Sequence, residues 1–254
     1  MAFSPGVAAL LVAIGFAVGA FGTIVGAGGG FILTPILLLL YPHDSAQTLT
    51  AISLAAVFFN AASGSVAYAR QHRIDYRSGV AFAAATIPGA VGGAFLVGVV
   101  SRQLFDGIMG GVLAVLALWL VVGDRWTLPP PEHRIRRGAL YSLGVGFVSS
   151  FLGIGGGVIH VPLLVRALGF PVHVATATSH FVLAIMAGAG TLTHIGLGSF
   201  AHHHGVRRTA ALSVGVVGGA QVGARVSMRV HGRAITTMLA VALVALAARL
   251  LYAV

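Results

Sequence analysis

Two ten-residue stretches hold the residues best suited to chemistry: GAGGGFILTP from Gly26 to Pro35, and GIGGGVIHVP from Gly153 to Pro162. Six of the ten positions are identical, and the two copies align in a register of 127. Each places four glycines and a proline inside an apolar run. Glycine weakens a helix interior, and proline removes a backbone donor. At membrane depth a freed backbone group needs a protected partner, so paired breaks in matching halves point to a carrier's binding site. A half-helix opening at such a break aims its N–H groups and dipole inward, which suits an anion. Gly28, Gly29 and Gly30, with Gly155, Gly156 and Gly157, are therefore candidate substrate contacts. Close helix packing is the competing reading, but packing alone does not call for four glycines clustered with a proline.

Further candidates surround the motifs. His160 and His180 are ionisable groups within apolar runs, and such groups are functional by default at membrane depth. His160 sits inside the motif, as an anion ligand or a proton-linked switch. TATSH at 176–180 repeats TAISL at 50–54 in a register of 126, which pairs Thr176 with Thr50 and Ser179 with Ser53. These hydroxyls can donate to an anion or bond back to their own helix. Asn60 is a buried amide that serves substrate or interhelical contact. Gln221 and Arg225, four apart, share a helix face; Arg225 either receives an anion or snorkels as an anchor. His194 reads as a surface-proximal hydrogen bonder. The triple histidine 202–204 has no carboxylate or Cys near it, so it reads as a solvated loop. No metal and no cofactor are expected.

The elements that hold these residues are apolar. Of 254 residues, 57% are hydrophobic and 8% charged, with a mean hydropathy of +0.98. A soluble domain carries about 25% charged residues, so the chain reads as a polytopic membrane protein. Net charge is +10, and every basic residue is Arg. The arginines lie between apolar runs, which marks membrane topology rather than nucleic-acid binding. The chain has no Cys, which excludes a disulfide framework and thiolate metal sites. The N-terminal stretch MAFSPGVAALLVAIGFAVGAFG lacks a basic n-region and aligns with 139–152, so it reads as mature protein.

Apolar runs cover 5–25, 31–41, 46–69, 78–100 and 103–122, then 138–152, 174–198, 209–227 and 234–253. Between the two sets lies GDRWTLPPPEHRIRR, residues 123–137. This divides the chain into a first transmembrane repeat (1–122), a cytoplasmic linker (123–137) and a second transmembrane repeat (138–254). Arginine clusters at 70–77 and 123–137 assign both to the cytoplasm. Residues 199–208 then fall outside, so the halves are inverted. Inversion needs an odd number of crossings per half: five spans, or three plus a re-entrant hairpin. Because 31–41 is short, the expected fold is an all-α polytopic membrane protein of two inverted repeats, each with a glycine-broken or re-entrant helix pair.

The paired glycine motifs, the T-A-x-S segments and the GGAQVGAR stretch at 218–225 resemble the sulfite exporter (TauE/SafE-type) family over nearly the whole chain. The resemblance implies a membrane transporter, multi-pass in the cell inner (plasma) membrane. Its implied cargo is sulfite, an organosulfonate or a related small sulfur anion; many members of the family have no known substrate, so the resemblance fixes the class of cargo rather than the ligand. Its partners are then that anion and the lipid bilayer, with no nucleic acid; homo-oligomerisation stays open. An anion channel is the first alternative, and a membrane enzyme or sensor the second. The sequence disfavours an enzyme. Asp44, Asp75, Asp106, Asp124 and Glu132 all fall at run ends or in loops. Ser179 and His180 are chain neighbours, poor geometry for a nucleophile and its base. With no intramembrane carboxylate to load a coupling ion, the expected transport is passive, electrogenic efflux.

Overall fold

Ser4, Ser45 and Asp75 each stand just before an apolar run, and each caps a helix. Ser4 Oγ accepts from Val7 N at 3.3 Å. Ser45 Oγ accepts from Thr48 N at 3.2 Å, and Asp75 Oδ1 from Ser78 N at 3.3 Å. The computed structural model describes residues 3–122, 134–201 and 204–253, and among the described residues there is no strand. The helices are α1 (Pro5–Ile24), α2 (Gly30–Leu40), α3 (Ala46–Arg70), α4 (Tyr76–Leu96) and α5 (Arg102–Val122). The second half supplies α6 (Arg134–Leu152), α7 (Gly157–Pro162), α8 (Val172–Gly196), α9 (Gly205–Ser227) and α10 (Gly232–Ala253). Five helices among the described residues are long and apolar enough to cross a membrane: α1, α3, α4, α5 and α8. The chain is an all-α, multi-pass membrane protein.

The proline-rich residues 123–133 and His202–His203 lie outside the described residues. Residues 134–137, expected in the linker, instead open α6. Arg134, Arg136 and Arg137 stand there, and Arg is a good helix former.

Glycine stripes set the closest packing. Gly15 and Gly19 face the backbone of Leu212 and Val216, while Gly215 and Gly219 face that of Val12 and Phe16. Contacts advance together along both helices, so α1 and α9 run parallel. Gly89 and Gly93 meet the Leu143 and Phe147 carbonyls in the same way, which makes α4 and α6 parallel. Small residues let the backbones approach, the main source of association within lipid. At the bundle's centre α3 and α8 cross antiparallel, with Gly64 against His180 and Gly190 against Leu54.

Both glycine motifs form turns at which the chain reverses. Gly26, Gly28 and Gly29 take φ of 76°, 72° and 78°; Gly153, Gly155 and Gly156 take 68°, 69° and 46°. That left-handed region penalises any residue with a Cβ. After the first turn Gly29 lies back beside Val18 of α1. α2, of 11 residues, covers roughly 16 Å and returns toward the end where α1 began. There Arg102 donates to Leu38 O at 2.9 Å and to Asp44 O at 2.8 Å. The second turn does likewise. α7 passes Pro162 into a π-turn over Leu163–Ala167, and Leu168 reaches Gly138 near the start of α6. Proline's missing N–H accounts for the widened turn. Each half thus contains a helical hairpin whose second arm is short, followed by three longer helices.

Candidate functional site

The tips of the two hairpins meet in the middle of the bundle. A methyl group built on Gly30 would lie 2.7 Å from the Ile154 carbonyl carbon, and one on Gly157 would lie 2.6 Å from Ala27 Cα. Val57 of α3 and Leu183 of α8 close the remaining gap. Val57 Cγ1 stands 2.6 Å from a methyl on Gly155, and Leu183 Cδ2 packs against Gly28. Leu183 is the repeat counterpart of Val57 in the 126 register. Neither residue carries a sequence signal beyond being apolar, so neither was a candidate; together they occlude the breaks.

Hydroxyls tie each tip to the opposite half. Ser53 donates to Gly153 O at 2.8 Å, and its counterpart Ser179 donates to Gly26 O at 3.3 Å. Thr34 joins the first of these, 2.8 Å from both Ser53 Oγ and Gly153 O. Thr176 and Thr50 turn back instead, each donating at 2.8 Å to a carbonyl of its own helix, Val172 O and Ala46 O. Of the two roles the sequence leaves open to them, this is the back-bonding one.

Around the first tip lies a buried polar network. Thr23 donates to Asn60 Oδ1 at 3.2 Å, and His180 Nε2 lies 3.3 Å from Thr23 Oγ1. Thr23 has one proton, already given to Asn60, so His180 is assigned as the Nε2–H donor. Asn60 Nδ2 donates to Gly19 O at 3.1 Å and Val216 O at 3.3 Å. Tyr68 donates to Thr23 O at 2.6 Å, stands edge-on to His180 at 5.5 Å, and carries the Arg73 guanidinium over its ring at 5.1 Å. Burial lowers the pKa of Arg73 from its ordinary value. Asn60, Ser179 and His180 are thus brought together, with Thr23 and Tyr68, which the sequence did not single out.

The second tip differs. Ser149 and Ser150 end α6 there, fully buried, and their Oγ atoms have no hydrogen-bond partner among the described residues. A methyl on Gly156 would stand 2.9 Å from Ser149 Oγ and 3.2 Å from Met186 Sδ; one on Gly190 would stand 2.7 Å from Ser150 Oγ.

Other sequence candidates lie elsewhere. His160 belongs to the lateral packing of α7 on α4 and α6. Ser142 gives its proton to Gly138 O at 2.7 Å, so His160 Nε2, 3.2 Å from Ser142 Oγ, is the donor; the ring lies edge-on to Phe82 at 5.8 Å. Gln221 donates to Ser63 O at 2.8 Å and Ser63 Oγ at 2.9 Å, which fastens α9 to α3. Arg225 is exposed. His194 packs its Nδ1 3.1 Å from Ser199 Oγ at the end of α8. A crevice of 680 Å³ bounded by Phe58, Leu192, Ile195 and Val206 has chiefly apolar walls, with Thr191, Thr209 and Ser213 also in its lining; it lies away from the hairpin tips. Among the described residues no group of His, Cys, Asp and Glu is placed to hold a metal.

The family model described as "Sulfite exporter TauE/SafE" matches residues 11–250. A probable membrane transporter protein of Bacillus subtilis, YunE, is 25% identical over 96% of this chain and 97% of its own length. A probable membrane transporter protein of Xylella fastidiosa is 30% identical over 81% of this chain and 77% of its own. No solved structure matches the chain.

Proposed function

The chain belongs to the sulfite exporter TauE/SafE family, and from that premise we propose that it exports a small sulfur oxyanion, sulfite or an organosulfonate, across the cell inner membrane. The anion passes between the hairpin tips. Ser149 and Ser150 donate to it, aided by the first N–H groups of the half-helices, which have no intrahelical acceptor. One observation carries this reading: the two breaks meet at the bundle's centre, their carbonyls held by hydroxyls of opposite halves, while two buried hydroxyls at the second tip keep their protons uncommitted. A buried unpaired hydroxyl costs about 1–3 kcal/mol, so a ligand that accepts from it recovers binding free energy. Val57 and Leu183 must part before the anion can pass, so the arrangement described is the occluded one.

The repeats are read as inverted. α1 and α3 start at one end of the bundle, and their counterparts α6 and α8 start at the other. Arg70, Arg73, Arg77, Arg136, Arg137, Arg166, Arg225, Arg229 and Arg233 gather at the second end, and Arg102, Arg207 and Arg208 at the first. The arginine-rich end is the cytoplasmic one by the positive-inside rule. Single cysteines introduced at Pro130 and at the exposed Ala201 should then label from opposite sides of the membrane; labelling from one side would refute the inversion.

A membrane potential of 100 mV moves one charge with ~2.3 kcal/mol. Purified protein in liposomes should release sulfite or sulfoacetate faster when the interior is made negative at equal pH. It should carry sulfate or thiosulfate less well. Flux that ignores potential and follows a pH gradient would replace electrogenic efflux with proton coupling, and His180, rather than His160, is the imidazole placed to carry that proton.

A further inference from the structure

The foot of the first hairpin holds a buried ion pair. Arg208, in the first turn of α9, places Nη1 2.5 Å from Asp44 Oδ2, and the two side chains are 3% and 7% exposed. The guanidinium also stacks over the Tyr41 ring at 3.7 Å. Arg102 grips the same loop by its main chain, donating to Asp44 O at 2.8 Å and Leu38 O at 2.9 Å while Nε pairs with Asp106 at 2.9 Å.

The foot of the second hairpin has aromatic side chains where the first has its ion pair, although Arg73 donates to His173 O at 3.3 Å and Arg166 to Trp119 O at 2.7 Å there. In the 126 register Asp44 corresponds to Phe170 and Arg208 to Phe82, and the two phenyl rings pack at 6.4 Å and 71°. Tyr41 corresponds to Leu168 in the 127 register. The fold therefore closes this junction with apolar side chains when it needs only closure. A buried ion pair is no better a fastener than well-packed apolar groups and is frequently a worse one. Charge at the first foot thus calls for a reason beyond fastening.

Chemistry supplies one. A carboxylate offers a guanidinium the same planar pair of oxygens that a sulfite or sulfonate offers, and Arg binds such pairs bidentately. Asp44 occupies its partner's fork as an internal oxyanion. Resting on the transport reading above, we infer that Arg208 is a release-side oxyanion station. The outgoing sulfur oxyanion takes the Arg208 guanidinium by displacing the Asp44 carboxylate, which swings to water from a loop that Arg102 keeps in place. Asp44 then returns and expels the anion. The station favours ligands with two oxygens at carboxylate spacing, so a halide does not substitute. Among the described residues the equivalent positions at the other end hold the aromatic pair Phe82 and Phe170 in place of an ion pair.

The test uses the full chain in liposomes, with sulfite inside and sulfite added outside as competitor. Asp44→Asn removes the internal competitor, so external sulfite should inhibit efflux at about tenfold lower concentration than in the wild type, while chloride should not. The double variant Asp44→Phe with Arg208→Phe copies the other foot and is expected to fold. Its efflux should fall about tenfold and lose inhibition by external sulfite. Wild-type efflux from this double variant would make the pair a structural fastener and overturn the station. Wild-type liposomes that move no sulfur oxyanion would instead overturn the transport reading, and the station with it.

Discussion

The two hairpins share a backbone and differ in chemistry. Around the first tip stand Thr23, Asn60, Tyr68 and His180, and the hydroxyl protons there are committed to protein acceptors. Their repeat counterparts, in the 127 register for the first and the 126 register for the rest, are Ser150, Met186, His194 and Leu54. That set is poorer in polar groups, and the two serines at the second tip have nothing to donate to. The feet differ as well, an ion pair against an aromatic pair. Repetition of the glycines therefore preserves the chain's path, while side-chain chemistry divides the labour. In the first network the hydroxyls and the Asn60 amide are satisfied, while His180 Nδ1 has no partner among the described residues; satisfied groups in a low-dielectric interior are costly to disturb. Unsatisfied donors are where a ligand gains most. The first hairpin is accordingly read as the fixed wall of the passage and the second as the side that takes the anion.

The largest effect should fall equally on both hairpins, because it concerns backbone. Gly29→Leu and Gly156→Leu each force a side chain into positive φ, at about 1–2 kcal/mol. Each also forces it against neighbours: Val18 O at 2.8 Å for Gly29 and Ser149 Oγ at 2.9 Å for Gly156. Both variants should insert and neither should transport above background in the liposome assay. Transport by either one alone would break the backbone equivalence of the halves.

A middle-sized effect should separate the hairpins. Thr23→Val leaves Asn60 Oδ1 and His180 Nε2–H without their partner, and should cost roughly 1–3 kcal/mol in unfolding of the detergent-solubilised protein. Ser150→Ala removes no protein hydrogen bond and relieves a buried unpaired hydroxyl, so stability should hold or rise, by up to about 1–3 kcal/mol. Equal losses would mean that both tips are built the same way.

The smallest concerns the cross-links. Ser179→Ala strips Gly26 O of its hydroxyl donor, at about 1 kcal/mol. Ser53→Ala leaves Gly153 O still held by Thr34 at 2.8 Å and should cost about half as much. A reversed order, measured by the same unfolding assay, would show that Thr34 does not substitute for Ser53.

What the sequence made legible followed from local pattern. The glycine motifs gave both breaks, and the apolar run 31–41 gave a helix too short to span, found at Gly30–Leu40. Hydroxyl pairs in register gave Ser53 and Ser179. Features set by distant partners stayed hidden. Arg208 looked like part of a polar loop because Asp44 lies 164 residues away. His160 looked functional from its place in the motif, yet a helical side chain's direction depends on its neighbours, and Ser142 and Phe82 claim it. Ser149 and Ser150 look like ordinary small residues at a helix end; what distinguishes them is burial without a partner together with a place beside the second tip.

The division between the hairpins is tested most directly by sulfite binding to purified protein, measured calorimetrically on matched variants. Ser149→Ala combined with Ser150→Ala should weaken sulfite binding by about tenfold or more, with stability held or raised. Thr23→Ser, which keeps the first network's hydroxyl, should bind sulfite as the wild type does. Wild-type affinity in the double serine variant, or its loss in Thr23→Ser alone, would contradict the assignment of the anion to the second tip.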